Sequence, residues 1–122
     1  MLSGERLLIV EEEFLIALDI QRVLEGADAQ RTVFARNFDE VAKLAGRLAD
    51  FDLAIVTAPR PGTSDQAVAD DLVQRGIAVV VCSATPGDLQ DTLLATAEIV
   101  QKPFSDEHLV AACRRALDKR AR

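Results

Sequence analysis

The sequence predicts a doubly wound α/β fold, a flavodoxin-like (βα)5 arrangement around a five-stranded parallel sheet in the order 2-1-3-4-5. Two observations carry that prediction. Five short apolar runs, at residues 7–10, 32–35, 53–56, 77–82 and 99–100, recur along the chain, each followed by a turn or a polar cluster. Between them lie segments with helical spacing, such as Phe14, Ala17, Leu18 and Leu24, or Val41, Leu44, Ala45 and Leu48. Repeated strand and helix units demand parallel strands joined by right-handed crossovers, which puts helices on both faces of the sheet.

The first, third and fourth runs are apolar at four or more consecutive positions, as strands covered on both faces require. They belong in the centre. The second is flanked by Arg31 and Arg36 and the fifth is very short, which suits the two edges. Helix boundaries are signalled separately. Asn37 with Glu40, and Thr85 with Asp88, have the spacing of capping boxes, and Ser105 is an N-cap candidate. Gly26 and Gly76 stand where C′ glycines belong. Residues 1–122 are expected to form one domain, with no linker, repeat or low-complexity tract.

Composition excludes several functional classes. At 49% hydrophobic and 28% charged, the chain has the make-up of an ordinary globular protein with a packed core. Fourteen basic against twenty acidic residues give a net charge of −6, which repels phosphate backbones, so nucleic acid is not the expected partner. Tyr and Trp are absent, and Phe14, Phe34 and Phe51 sit in or beside apolar runs rather than forming a base-stacking platform. The longest apolar run has six residues, far short of a membrane span. With acidic residues by Glu5, no signal peptide is read, and the expected location is cytoplasmic. Cys82 and Cys113 lie inside apolar patterns and read as reduced core residues.

In an open parallel sheet of this order the ligand crevice lies at the carboxyl ends of strands one and three, where the topology reverses. The residues standing at strand ends are Glu11 and Glu12, Thr57, Ser83 and Lys102: two acids, two hydroxyls and an ammonium. The glutamates at 11–13 also suit the first turn of a helix, whose dipole favours acids.

The pieces Leu8-Ile9-Val10-Glu11-Glu12-Glu13, Asp52-Leu53-Ala54-Ile55-Val56, Pro61-Gly62, Val80-Val81-Cys82-Ser83-Ala84 and Lys102-Pro103-Phe104 occur in this order. Together they resemble the response-regulator receiver domains of two-component signalling, over nearly the whole chain. The resemblance implies that Glu11 and Glu12 match an acidic pair that holds Mg²⁺, Ser83 a switch hydroxyl, and Lys102 a lysine that binds phosphoryl oxygens. At the position where the family carries its phosphoacceptor aspartate, this sequence has Thr57. Ile99 sits where many receivers keep an aromatic switch residue.

A carboxylate is ionised at pH 7 and can attack phosphorus with help only from positioning and a metal, whereas a threonine hydroxyl needs an adjacent base. The only histidine, His108, falls in the first turn of the last helix and reads as solvated. Loss of one of three carboxylates also weakens the metal site, so Mg²⁺ binding at Glu11 and Glu12 is expected to be weak or lost and no other cofactor is expected. Lys102 is expected to turn to Glu11 or Glu12.

The reading is therefore a non-enzymatic pseudo-receiver that acts in a phosphorelay by binding partners. The alternative is a residual phosphoacceptor that uses Thr57 or a displaced carboxylate. The expected partner is a histidine kinase, another regulator or a second copy of the chain. The surface assigned to it comprises Pro59, Arg60 and Pro61, Ile99, and Arg114 and Arg115 of the last helix. Five cations and one acid occupy the last nine residues, which leaves the remainder of the chain at −10. These cations suit either a helix C-terminus or the steering of an acidic partner.

Overall fold

The computed structural model describes residues 5–27, 29–60, 63–83, 97–101 and 104–120, with the side chains of Ala45, Ser83 and Arg120 left aside. Strands β1 (Arg6–Val10), β2 (Arg31–Ala35), β3 (Leu53–Thr57), β4 (Ala78–Ser83) and β5 (Glu98–Gln101) form one sheet in the order β2-β1-β3-β4-β5. Every pairing is parallel. The five apolar runs predicted as strands coincide with the five strands, except that Ile77 falls just before β4, and the two assigned to edges are at the edges.

Alternation along β1 and β3 divides the core into two layers. Leu7, Ile9, Leu53 and Ile55 point to one face, where they meet Ala17, Ile20 and Leu24 of α1 (Phe14–Glu25) and Leu109, Ala112 and Cys113 of α4 (Asp106–Arg120). Leu8, Val10, Ala54 and Val56 point to the other, against Phe38 and Val41 of α2 (Phe38–Ala42) and Ala69 and Leu72 of α3 (Asp65–Gln74). Leu7, Leu8 and Leu53 are wholly buried, and truncation of such a leucine to alanine costs about 2–5 kcal/mol.

The caps were legible in the sequence. Asn37 accepts the Glu40 N–H at 3.0 Å, and Ser105 accepts the His108 N–H at 3.1 Å. The Glu40 carboxylate reaches back to the Arg36 N–H at 2.7 Å, one residue earlier than a capping box would place it. The proposed Thr85 and Asp88 cap lies outside the described residues. Gly76 closes α3 with φ +79, a conformation that an L side chain resists. Gly26 corrects the expectation: its φ of −63 is right-handed, so the end of α1 needs no left-handed residue.

A second difference concerns the segment after Asn37, whose spacing predicted one helix through Leu48. The α-helix stops at Ala42, and a 3-10 helix (Ala45–Asp50) carries Leu48 into the core instead. A segment this short, with Gly46 inside it, gains little from α propagation, and packing of Leu48 and Phe51 sets the path. Among the described residues, no helix is long and apolar enough to cross a membrane.

Candidate functional site

The topology reverses between β2 and β3 on either side of β1, and the chain departs from the sheet in opposite directions there. Three strand ends meet at this crevice. Glu11 follows β1 directly, and its N–H continues the ladder to the Ala35 carbonyl at 3.0 Å. That pairing pins the first glutamate to the sheet rather than to the helix. Glu11 is 8% exposed, and its Oε2 accepts the Glu13 N–H at 3.1 Å. Glu12 and Glu13 are exposed, and α1 begins only at Phe14. The acidic run therefore precedes the helix instead of forming its first turn.

Thr57 is the last residue of β3, opposite Cys82 of β4 in register, and half-buried. It shares with Glu12, Arg36, Asn37, Arg60 and Asp65 a polar cavity of about 190 Å³. Thr57 and Glu12 are thus brought together at one cavity. For Ser83 the backbone is placed at the end of β4, paired with Gln101. Lys102, Pro61 and Pro103 lie outside the described residues, and the pairing proposed for Lys102 with them.

One residue of the cavity was not singled out from the sequence. Asp65, the first residue of α3, has a side chain only 7% exposed. Its Oδ2 accepts the Arg60 main-chain N–H at 3.2 Å and the Arg60 Nε–H at 3.0 Å. The Thr63 hydroxyl donates to the Arg60 carbonyl at 2.7 Å and accepts the Asp65 N–H at 3.2 Å. The hydrogen bonds to Arg60, foremost the one from its side chain, hold the Asp65 carboxyl below the usual aspartate range despite its burial. The signal in the sequence was an arginine five residues before an acid that opens a helix, with a hydroxyl residue between them.

The donor set does not fit a hard divalent cation well. Mg²⁺ seeks charged oxygens in near-octahedral geometry, whereas Thr57 offers a neutral hydroxyl and Glu11 already accepts a backbone N–H. Among the described residues, no three His, Cys, Asp or Glu side chains are grouped to hold a metal ion.

The surface assigned to partners is only partly as expected. Pro59 is buried, so it is corrected from a contact residue to a packing residue. Arg60 is exposed, and Ile99 is half-buried against the layer containing Val79 and Val81. Arg115, with its side chain 59% exposed, is tied together with Lys119 to Glu98 of β5, whose side chain is 14% exposed. Hydrogen bonds from Lys119 and then Arg115 lower the Glu98 pKa. Arg114 is exposed and lines a groove of about 490 Å³ between α1 and α4. The first turns of α1 present an unforeseen apolar patch, with Phe14 71% and Leu15 80% exposed. Phe34 is also exposed, whereas Phe51 is in the core. Cys82 and Cys113 are buried and unbridged, and burial pushes the Cys113 thiol up to about 12.

No family model matches the sequence, and no curated protein matches it either. Solved structures do. A response regulator receiver domain protein from Clostridium thermocellum superposes with a TM-score of 0.78 at 16% identity, over 96% of this chain and 97% of that one. The signal receiver domain of a signal transduction histidine kinase from Syntrophus aciditrophicus gives 0.76 at 25% identity, over 95% and 92%. An anti-anti-sigma factor from Bartonella quintana gives 0.76 at 24% identity, over 99% of this chain and 51% of that one. The chain has the receiver-domain fold, and its structural neighbours include response-regulator receiver domains.

Proposed function

We propose that the chain is a pseudo-receiver: a single signalling domain that takes part in phosphorelay signal transduction through phosphorylation-independent contacts with other proteins, and that is not an enzyme. The observation that carries this reading is Thr57, a neutral hydroxyl at the end of β3 in the crevice beside Glu12. A threonine there has no histidine to activate it, since His108 is exposed on α4. An ester formed on it would lack the lability of an acyl phosphate, so a receiver's cycle of activation and reset has no chemical basis. Mg²⁺ binding is weak or lost for the same reason, because position 57 adds no carboxylate to Glu11 and Glu12.

Binding then takes the place of chemistry. The solved structures similar to this chain include the signal receiver domain of a histidine kinase and an anti-anti-sigma factor, which supports a protein partner of the signalling class. The exposed Phe14 and Leu15 beside the crevice, together with Arg60, offer an apolar and a charged contact on one end of the sheet. The deciding experiment is incubation with Mg²⁺ and acetyl phosphate, followed by intact-mass measurement. No mass increase is expected. A phosphate on Thr57, or a hydroxylamine-labile one on a carboxylate such as Asp65, overturns the reading in favour of a residual phosphoacceptor.

A further inference from the structure

We infer that Arg60 acts as a resident cation of the crevice: clamped by Asp65, it supplies in the cavity shared with Glu12 and Thr57 the positive charge that a divalent ion would otherwise bring, and so disfavours Mg²⁺ there. The inference rests on the reading of this crevice as a receiver pocket and adds a second reason, independent of residue 57, for its loss of metal chemistry.

Asp65 makes the arrangement necessary. A carboxylate with 7% of its side chain exposed has exchanged nearly all of its hydration for protein, and a buried charge of this kind needs a partner. Arg60 answers with its Nε–H at 3.0 Å and its main-chain N–H at 3.2 Å on the same oxygen. Thr63 braces both residues, its hydroxyl bonded to the Arg60 carbonyl and to the Asp65 N–H. The Arg60 backbone is therefore fixed beside the cavity, and its side chain, although 72% exposed, is tied to the buried carboxylate through Nε.

The surrounding charges fit a cation already in place. Glu12 lines the same cavity, and Asp39 adds its field, so that after Asp65 both raise the affinity of Arg60 for its proton. Arg36, which also lines the cavity, is tied to Glu40 through its Nε at 3.2 Å. A metal ion entering this cavity would find two arginines, Arg36 and Arg60, among its lining residues, and their charge opposes its binding. The tethered cation has an intramolecular advantage over an ion from solution, because no translational freedom is lost to hold it. Restoring an acid at position 57 alone leaves that competitor where it is.

The test is Mn²⁺ binding to the full chain, followed by isothermal titration calorimetry, with Thr57→Asp, Arg60→Gln and the double variant compared with the unmodified protein. Thr57→Asp alone is expected to bind Mn²⁺ poorly, and the double variant about tenfold tighter or better. Arg60→Gln alone is expected to bind more tightly than the unmodified chain, which keeps the test decisive if aspartate at 57 disturbs folding; circular dichroism reports that. Equal affinity with and without Arg60, in either background, overturns the inference. Acetyl phosphate labelling of the unmodified protein, by contrast, bears on the pseudo-receiver reading and leaves the role of Arg60 to the Mn²⁺ data.

Discussion

Among the described residues, Asp65 and Glu98 are both nearly buried and bound to exposed cations, yet they solve different problems. Asp65 meets an arginine five residues away, and the pair closes a loop on itself at the crevice. Glu98 sits on the edge strand β5 and meets Arg115 and Lys119, seventeen and twenty-one residues further on, on successive turns of α4. The first shapes a site, and the second fastens a helix to a sheet edge. Cations of the C-terminal helix that suited the steering of a partner are thereby partly consumed inside the fold, while the crevice keeps Arg60 at its mouth. The sign of a charged cluster says less about function than the distance in sequence its partner must cross.

If that contrast is right, loss of the long-range contact should hurt stability more. Glu98→Ala removes two charge-assisted hydrogen bonds and is expected to cost about 2 kcal/mol in urea unfolding, with most of the loss discounted for cations that remain solvated. A cost no greater than that of Asp65→Asn would erase the distinction. Asp65→Asn keeps one acceptor for the Arg60 N–H and is expected to cost about 1 kcal/mol, with the effect concentrated in the loop. Hydrogen exchange should show faster exchange of the Arg60 amide while the β3 amides stay protected.

Acid should probe both pairs at once. Hydrogen bonds to cations lower both carboxyl pKa values in the folded protein, so the unfolded chain binds more protons as the pH falls through the ordinary carboxylate range. Their contribution is complete above that range and is lost from about pH 4 downward. Urea midpoints measured across this window should fall more steeply for the unmodified protein than for Glu98→Gln, and a parallel pair of curves would count against the Glu98 contact. The smallest effect belongs to exposed pairs. Arg22 is tied to Asp19 at 2.7 Å and more loosely to Asp106 at 3.8 Å, all three side chains being more than half exposed, and Arg22→Ala should shift the urea midpoint by little.

Much of this architecture was legible before any coordinates. The strands could be read because central parallel strands must be apolar on both faces, which leaves uninterrupted runs such as 53–56 and 77–82. The caps at Asn37 and Ser105 could be read because their bonds span only three residues. Where contacts cross the chain, the reading gave out. Nothing local distinguished Phe51, which is buried, from Phe14, which is exposed, since both border apolar runs. The break between α2 and the following 3-10 helix depends on how Leu48 reaches the second core layer, and Gly26 ends its helix in an ordinary conformation although its position suggested otherwise.

The sequence by itself determined the order of strands and the presence of a hydroxyl, Thr57, at the end of the third strand, because hydrophobic period and residue identity are local properties. Only the tertiary structure decided that Asp65 is buried and claims Arg60, and that Glu98 claims Arg115 and Lys119. Burial is a property of the assembled layers, and a carboxylate needs a cation only once those layers have taken its water away.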